Sequence, residues 1–439
     1  MPETNLFTNE FQKNKEQSIS DIRSFLRKAK DMQVVKSTTR IITTPPVLKE
    51  ENRIELEYVL KKLLEIILTI PDRIFGGDLE QMGRFLGYQP KEIRKILDGT
   101  IRFEDKVLSR GDLYQTPDGW KLLELNLGSN VGGMTMAWLN RLMQETPFYN
   151  ELIKSNDLKY FDPLIFWVNT IRGMLQINSN SLTLAMVESE KVLSSYSHTL
   201  QLMAKELQDH TGIQSFVCSQ RDLEEGTDGL YFNGRKIDVV YRLFDLGDVE
   251  AAPEEYWHIF EALRAKRVQM PMGLEYKILG NKILFAMMSD PQYEPYFSNE
   301  ELYIIHRYIP WTRLFEEKLI SFALHNQRSL VIKPADGYGG IGVLCGWEHR
   351  EEDWRNTLYS LLKRKEKYII QEKVTPSTSE VYCSTPEGEI ISQEVQLLWG
   401  AYLFDKRFAG GILRAKPIGG GSVINLHNGA AIGPIFIHG

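Results

Sequence analysis

The chain has 439 residues, 43% of them hydrophobic and 25% charged, and a formal charge of −6. That length exceeds what one hydrophobic core usually organises, and the acidic balance leaves no basic footprint for nucleic acid. The polar start "MPETNLFTNEFQKNKEQ" and the Lys61, Lys62 and Glu65 that interrupt the greasiest stretch argue against secretion and membrane spanning, while Cys218, Cys345 and Cys383 lack CxxC spacing and suit the reducing cytoplasm.

Residues 1 to about 100 read as helices, because "SISDIRSFLRKAKDM" and "ENRIELEYVLKKLLEIIL" space their apolar residues by three and four. "DLEQMGRFLGYQPKEIRKIL" reads as two short helices broken at Gly87 and Pro90. "KVLSRGDLYQTPDGWKLLELN" then predicts two strands turning at Asp118-Gly119, followed by a helix over "MTMAWLNRLMQE". From about 160 to 250 the pattern is helix, strand, helix, strand: "LTLAMVES", "SYSHTLQLMAKELQDH" and "QSFVCS" form a βαβ unit. A hairpin follows at Asn233-Gly234. The last third returns to sheet in "SLVIKP", "IGVLCGW", "KYIIQEKV", "EVYCST", "EIISQEVQLLW" and "GGILRAKP".

Two stretches carry chemistry. In "KPADGYGGIGV", Gly337, Gly339 and Gly342 match GxGxxG. A dinucleotide fold needs a helix straight after such a loop, and here a strand-like segment follows. A protein kinase needs HRD and DFG downstream, and neither is present. The remaining functional reading places Lys333 at the end of the entering strand as a point charge for phosphate, with mobile glycines folding backbone N–H groups over it. A plain glycine-rich hairpin is the bland alternative. The second stretch is the hairpin, where Glu124 and Asn126 stand two apart on one strand face and Arg110 and Asp112 two apart on its partner. A lone ExN is most often a solvated strand edge. Here Leu123 and Leu125 interleave with the polar pair, so the strand is polar on one side and apolar on the other. Carboxylates and an amide in that arrangement offer hard oxygens for Mg²⁺.

Arg-x-Asp, a hairpin, Glu-x-Asn and, far downstream, a Lys-Pro glycine loop resemble the circularly permuted ATP-grasp ligases, the glutathionylspermidine synthase and eukaryotic glutathione synthetase group above all. The resemblance covers most of residues 105 to 439 and extends to "GNKILFAMM", "YIIQEKV" and the late "GGILR" strand. It implies an α/β (α+β) class with the ATP-grasp fold in circularly permuted order. The implied segments are a helical region at 1–100, a metal-binding part at 101–160, a βαβ substrate domain at 161–275 and a nucleotide-binding part with a glycine lid at 276–439.

By that resemblance Asp112, Glu124 and Asn126 hold two Mg²⁺ ions against ATP. Lys282, Lys333, Asp336, Gly337, Gly339, Gly340 and Gly342 meet its phosphates, and Gln371, Glu372 and the Val374 backbone meet its adenine and ribose. Arg110 and Arg414 act at the transferred group. Ser129 and Asn130 line the acid's pocket, and Arg242 is a candidate carboxylate clamp, with a surface strand residue as the even alternative. The implied reaction joins a small-molecule carboxylate to an amine through an acyl phosphate, releasing ADP and phosphate. A small-molecule kinase and a non-catalytic nucleotide-binding scaffold stay open, as does homodimerisation. Neither nucleic acid nor membrane is expected as a partner. "GGGSVINLHNGA" reads as a closing loop in which Asn425 and Asn428 lack a paired Glu, with His427 as a candidate proton acceptor. No HExxH or GxSxG motif argues for hydrolysis or zinc.

Overall fold

The computed structural model describes residues 5–97, 106–175 and 182–439. Helices α1 (Leu6–Lys13) and α2 (Lys15–Asp31) lead to a short strand β1 (Val47–Lys49) and the long helix α3 (Glu50–Phe75). Helix α3 buries Leu56, Val59, Leu60, Leu63, Leu64, Ile67 and Ile70 along one stripe. Glu50 and Glu51 favour its positive N-terminus, and Gly76, at φ 58°, ends it in the left-handed conformation. Helix α4 (Leu79–Leu86) stops at Gly87 and α5 (Pro90–Ile96) starts at Pro90, so the break falls where the sequence places it.

This helical region does not stand apart. Strand β1 pairs in parallel with the last strand of the chain, Phe436–His438, and Ile41 and Ile42 bridge to Ile432 and Cys383. One buried cluster runs from Phe7 to Ile437. Those long-range pairings join chain ends that no local pattern connects.

Strands β2 (Leu108–Thr116) and β3 (Gly119–Leu127) form the expected hairpin, in register Asp112 opposite Glu124 and Arg110 opposite Asn126. Helices α6 (Thr135–Glu145), α7 (Pro147–Ser155) and α8 (Pro163–Met174) follow. Then β4 (Thr183–Glu188), α9 (Glu190–Thr211) and β5 (Gln214–Ser219) make a parallel βαβ unit. A small antiparallel sheet of β6 (Glu224–Gly226), β7 (Gly229–Phe232) and β8 (Arg235–Ile237) turns at Asn233-Gly234, and β9 (Val239–Arg242) returns parallel to β4. Helix α10 (Leu246–Ala251) closes this unit.

A four-stranded antiparallel sheet of order β10-β13-β11-β12 follows, from β10 (Thr312–Leu314), β11 (Leu330–Pro334), β12 (Leu344–Cys345) and β13 (Tyr368–Glu372). It has its own core around Ile332, Trp354, Leu358 and Ile370. The strand expected over 341–347 is shorter than its pattern suggests. Only Leu344 and Cys345 pair, after which the chain bends into a 3₁₀ turn at Gly346–Glu348, where a Cβ on Gly346 would lie 1.9 Å from the Gln327 carbonyl oxygen.

Strands β14 (Thr378–Ser384), β15 (Ile390–Phe404), β16 (Arg407–Pro417), β17 (Ala431–Pro434) and β18 (Phe436–His438) complete the chain. The hairpin joins β15 in a six-stranded sheet of order β17-β16-β15-β2-β3, with β14 also on β15. Period-two alternation divides the faces. A Cβ on Gly111 would touch Leu60 of α3, so Gly111 faces that helix and its neighbours Arg110 and Asp112 face the other way.

Candidate active site

On the face away from α3, Glu124 on β3, Asp112 on β2, Gly400 on β15 and Ile412 on β16 form one cross-strand row. Asn126, Arg110 and Tyr402 form the next. Gly400 leaves room for the neighbouring guanidinium, since a Cβ there would sit 3.1 Å from Arg110 Cδ. Arg110 grips Asp112 with two bonds, Nε to Oδ1 at 2.7 Å and Nη2 to Oδ2 at 3.1 Å. Arg414 on β16 adds Nη1 to Oδ2 at 3.2 Å. Burial alone would raise the Asp112 pKa, but the two guanidiniums outweigh it and hold it at about 2. Asp112 is therefore ionised and committed to arginines on both oxygens.

Glu124 is placed differently. Its carboxylate pairs with Lys282 at 3.3 Å and remains partly exposed. Asn126 donates Nδ2 to the Arg110 carbonyl at 3.4 Å, and its Oδ1 accepts no hydrogen bond among the described residues. Those two oxygens are hard donors of the kind Mg²⁺ takes, with Asp112 behind them. Among the described residues no cluster of three or more His, Cys, Asp or Glu has the shape of a closed metal site.

Lys282 precedes the helix Ile283–Ser289 and ties down the start of the glycine loop, its N–H donating to Ala335 O at 2.9 Å and its Nζ to Gly337 O. Lys333, one residue before the end of β11, lies under the same loop with Nζ 2.7 Å from Gln371 Oε1. Its pKa falls to about 8, chiefly because burial disfavours the ammonium; the nearby Glu124 carboxylate offsets part of this, and Lys282 adds repulsion. Gln371 passes the contact on through Nε2 to Thr312 Oγ1 at 3.0 Å, so its side chain supports Lys333. Glu372 accepts from the Trp311 N–H at 2.9 Å, and Asp336 pairs with Lys277 at 2.9 Å.

Gly339, Gly340 and Gly342 all have positive φ, and Tyr338 and Ile341 between them are 66% and 69% exposed. A second loop, from Gly419 to Ala430, leans on this lid. Asn425 Nδ2 donates to Gly339 O, and a Cβ on Gly340 would come 2.5 Å from Val423 Cγ1. The His427 side chain lies outside the described residues.

After Glu124 and Asn126 the chain enters a turn, "GSNVGGM", that sequence reasoning did not single out beyond Ser129 and Asn130. None of the backbone N–H groups from Ser129 to Met134 donates to another described residue, although Val131 O accepts from Arg110 Nη1 and Gly132 O from Tyr402 at 2.6 Å. Carbonyls turned back to the sheet leave the N–H groups as unspent donors. Tyr402 was missed as well; its only sequence signal is the period-two spacing from Gly400. Arg242 is no surface residue. It is 8% exposed, and its Nη atoms donate to the carbonyls of Phe244, Met272 and Gly273, leaving Nε without an acceptor.

Arg110, Asp112, Glu124, Asn126, Arg242, Lys282, Lys333 and Arg414 line one open cavity of about 1830 Å³, together with Gln371, Glu372, Val374, residues 128–135 and much of the glycine loop. Residues 33–40 of the N-terminal region also border it.

Residues 215–399 match the model of the family described as circularly permuted ATP-grasp type 2. A Frankia casuarinae protein bearing the name glutamate–cysteine ligase 2-2 is 27% identical over 148 residues, 33% of this chain. The chain spans only 17% of that relative's length. The solved structure of a glutathione synthetase-like effector from Globodera pallida, in its apo form, superposes with a TM-score of 0.60 over 95% of this chain and 96% of its own, at 10% identity. The mixed α/β fold, with its parallel unit and glycine-lidded sheet, is thus similar over residues 215–399 to the circularly permuted ATP-grasp type 2 family, and the hairpin that carries Arg110, Asp112, Glu124 and Asn126 lies outside that match.

Proposed function

We propose that this chain is an ATP-dependent carboxylate–amine ligase that works through an acyl phosphate and releases ADP and phosphate. The observation that carries the reading is convergence on one cavity: Glu124 and Asn126 from the hairpin, Lys282 and Lys333 from two other elements, and a glycine lid over them. Phosphoryl transfer asks a protein chiefly for positioning and charge neutralisation, and these groups supply both.

In this reading ATP lies between β11–β13 and the six-stranded sheet. Lys333 and Lys282 take its phosphates, and the lid glycines cover them. Glu124 and Asn126 would hold Mg²⁺, which when bound neutralises phosphate charge, while Asp112 fixes Arg110 and Arg414 beside it. The acid's carboxylate lies against the unspent N–H groups of residues 129–134, within reach of Arg110. Its oxygen attacks the γ-phosphorus, ADP leaves, and an amine then displaces phosphate from the acyl carbon. Arg110 steadies the oxygens that pass between the two steps, because a planar guanidinium matches them. The lid keeps water away until the amine attacks.

The relative's name makes L-glutamate the first acid to try. The test is a matrix of acids and amines incubated with ATP and Mg²⁺, read by ADP release and by mass of the product. An amide whose mass equals acid plus amine less water supports the reading. ATP consumption with no condensed product across the matrix counts against it.

A further inference from the structure

Three carboxylates crowd the wall of the cavity at the carboxyl end of the parallel sheet β5-β4-β9, the edge where such sheets take ligands. Glu188 ends β4, and Asp245 and Asp248 bracket the start of α10, each accepting the other's backbone N–H. Glu188 is 6% exposed; one of its oxygens accepts the Ser189 N–H at 2.8 Å and the other has no partner among the described residues. Beside it two further polar atoms are buried without partners, Arg242 Nε and Ser129 Oγ, on residues 8% and 5% exposed. They belong to adjoining walls, because Tyr241, next to Arg242, hydrogen-bonds the Ser129 carbonyl. The wall is an acid cluster with unspent buried polar groups around it.

This position suits the second substrate. The acid's proposed seat, residues 129–134, offers a row of unspent backbone N–H donors and no carboxylate, and it adjoins the Glu188 wall through that Tyr241 bond. Tyr338 of the lid reaches the same wall, where the Asp245 carboxylate raises its phenol's pKa. A closed lid would thus lie over both.

We infer that Glu188 is the proton acceptor for the amine substrate, with Asp245 and Asp248 holding the incoming ammonium. The inference rests on the ligase reading. The ammonium gives one proton to the Glu188 carboxylate and becomes a neutral amine. Its lone pair forms the C–N bond while the acyl C–O bond to phosphate breaks, and the second proton leaves with phosphate as hydrogen phosphate. Glu188 then returns its proton to solvent. Burial, followed by Asp248 and Asp245, pushes the Glu188 pKa up to about 7, against the Ser189 N–H and the Arg242 charge. Glu275 is a further negative charge acting on Arg242. A carboxylate so raised is ionised above about pH 7 and is a far stronger base than an exposed one.

The test uses the full chain and two nucleophiles: hydroxylamine, neutral at pH 7, and methylamine, cationic there. Each is supplied with ATP, Mg²⁺ and a set of acids headed by L-glutamate. Glu188→Gln should retain most hydroxamate formation while methylamide formation falls about a hundredfold, the size of a lost general base. Wild-type methylamide formation should rise with pH through about 7, and the variant should lose that limb. Equal loss of both products, or retention of both, overturns the inference while wild-type hydroxamate upholds the ligase. No wild-type hydroxamate with any acid overturns the ligase instead. Calorimetry of methylammonium binding then judges the subsite alone: saturable binding that Glu188→Gln weakens tenfold keeps it, and no difference removes it.

Discussion

The β2–β3 hairpin face and the glycine lid are both polar surfaces of one cavity, yet they are built in opposite ways. On the hairpin face Arg110, Asp112 and Arg414 sit deep in a six-stranded sheet, pair with one another and have strands on both sides to fix their directions. On the lid Tyr338 and Ile341 are largely exposed, the glycines take positive φ, and a second loop supports them through Asn425 and Val423. The first arrangement fixes charge before a ligand arrives; the second leaves backbone that can rearrange around one. Cost of failure differs accordingly. A change on the hairpin face should strike stability or chemistry hard, and one on the lid should act on closure.

The sharpest way to break the contrast is Asp112→Ala. It leaves two buried guanidiniums without their carboxylate, which should cost about 3–5 kcal/mol of stability. Urea unfolding reads this directly, and a loss comparable to a surface ion pair would mean the cluster is not preorganised. Glu124→Gln should separate chemistry from stability on the same face. Glu124 is partly exposed and holds a single lysine, so the midpoint of unfolding should barely move while turnover falls about a hundredfold.

Gly340→Ala belongs to the lid. The new Cβ meets Val423 and Asn425 and sits at φ 72°, which costs about 1–2 kcal/mol locally. Limited proteolysis should show faster cleavage within 336–343 or 419–430, and the KM for ATP should rise several-fold while global stability changes little. The smallest effect is acid dependence. The Asp112 pKa is depressed in the folded chain, so its stabilisation is complete above its ordinary value near 4 and is lost as pH falls towards about 2. Acid titration of wild type against Asp112→Asn should therefore differ in slope only in that window.

The same two regions show what the sequence could and could not convey. The hairpin was legible because Asp118-Gly119 sets its turn and period two then decides which side chains share a face. The turn sets the register only as far as Leu113 opposite Leu122; a bulge then skips Leu123 and brings Asp112 opposite Glu124, a shift that the pattern did not announce. What local pattern cannot carry is partnership across hundreds of residues. Nothing in "VLK" says that β1 will pair with Phe436–His438, and nothing near Asp112 announces that Arg414 will share it. The Arg242 bonds to backbone carbonyls at 272 and 273 were hidden for the same reason, since they depend on a loop thirty residues away. The lid motif was visible as glycines, but its support by Asn425 and Val423 was not.

Phosphorus NMR on the wild-type chain with ATP, Mg²⁺ and one acid, recorded before and after the amine is added, tests the proposed ligase most directly. The account predicts little turnover with the acid alone, then ADP and inorganic phosphate in equal amounts once the amine enters, matched by amide. AMP with pyrophosphate, or a stable phosphorylated acid that accumulates and ignores amines, would contradict it.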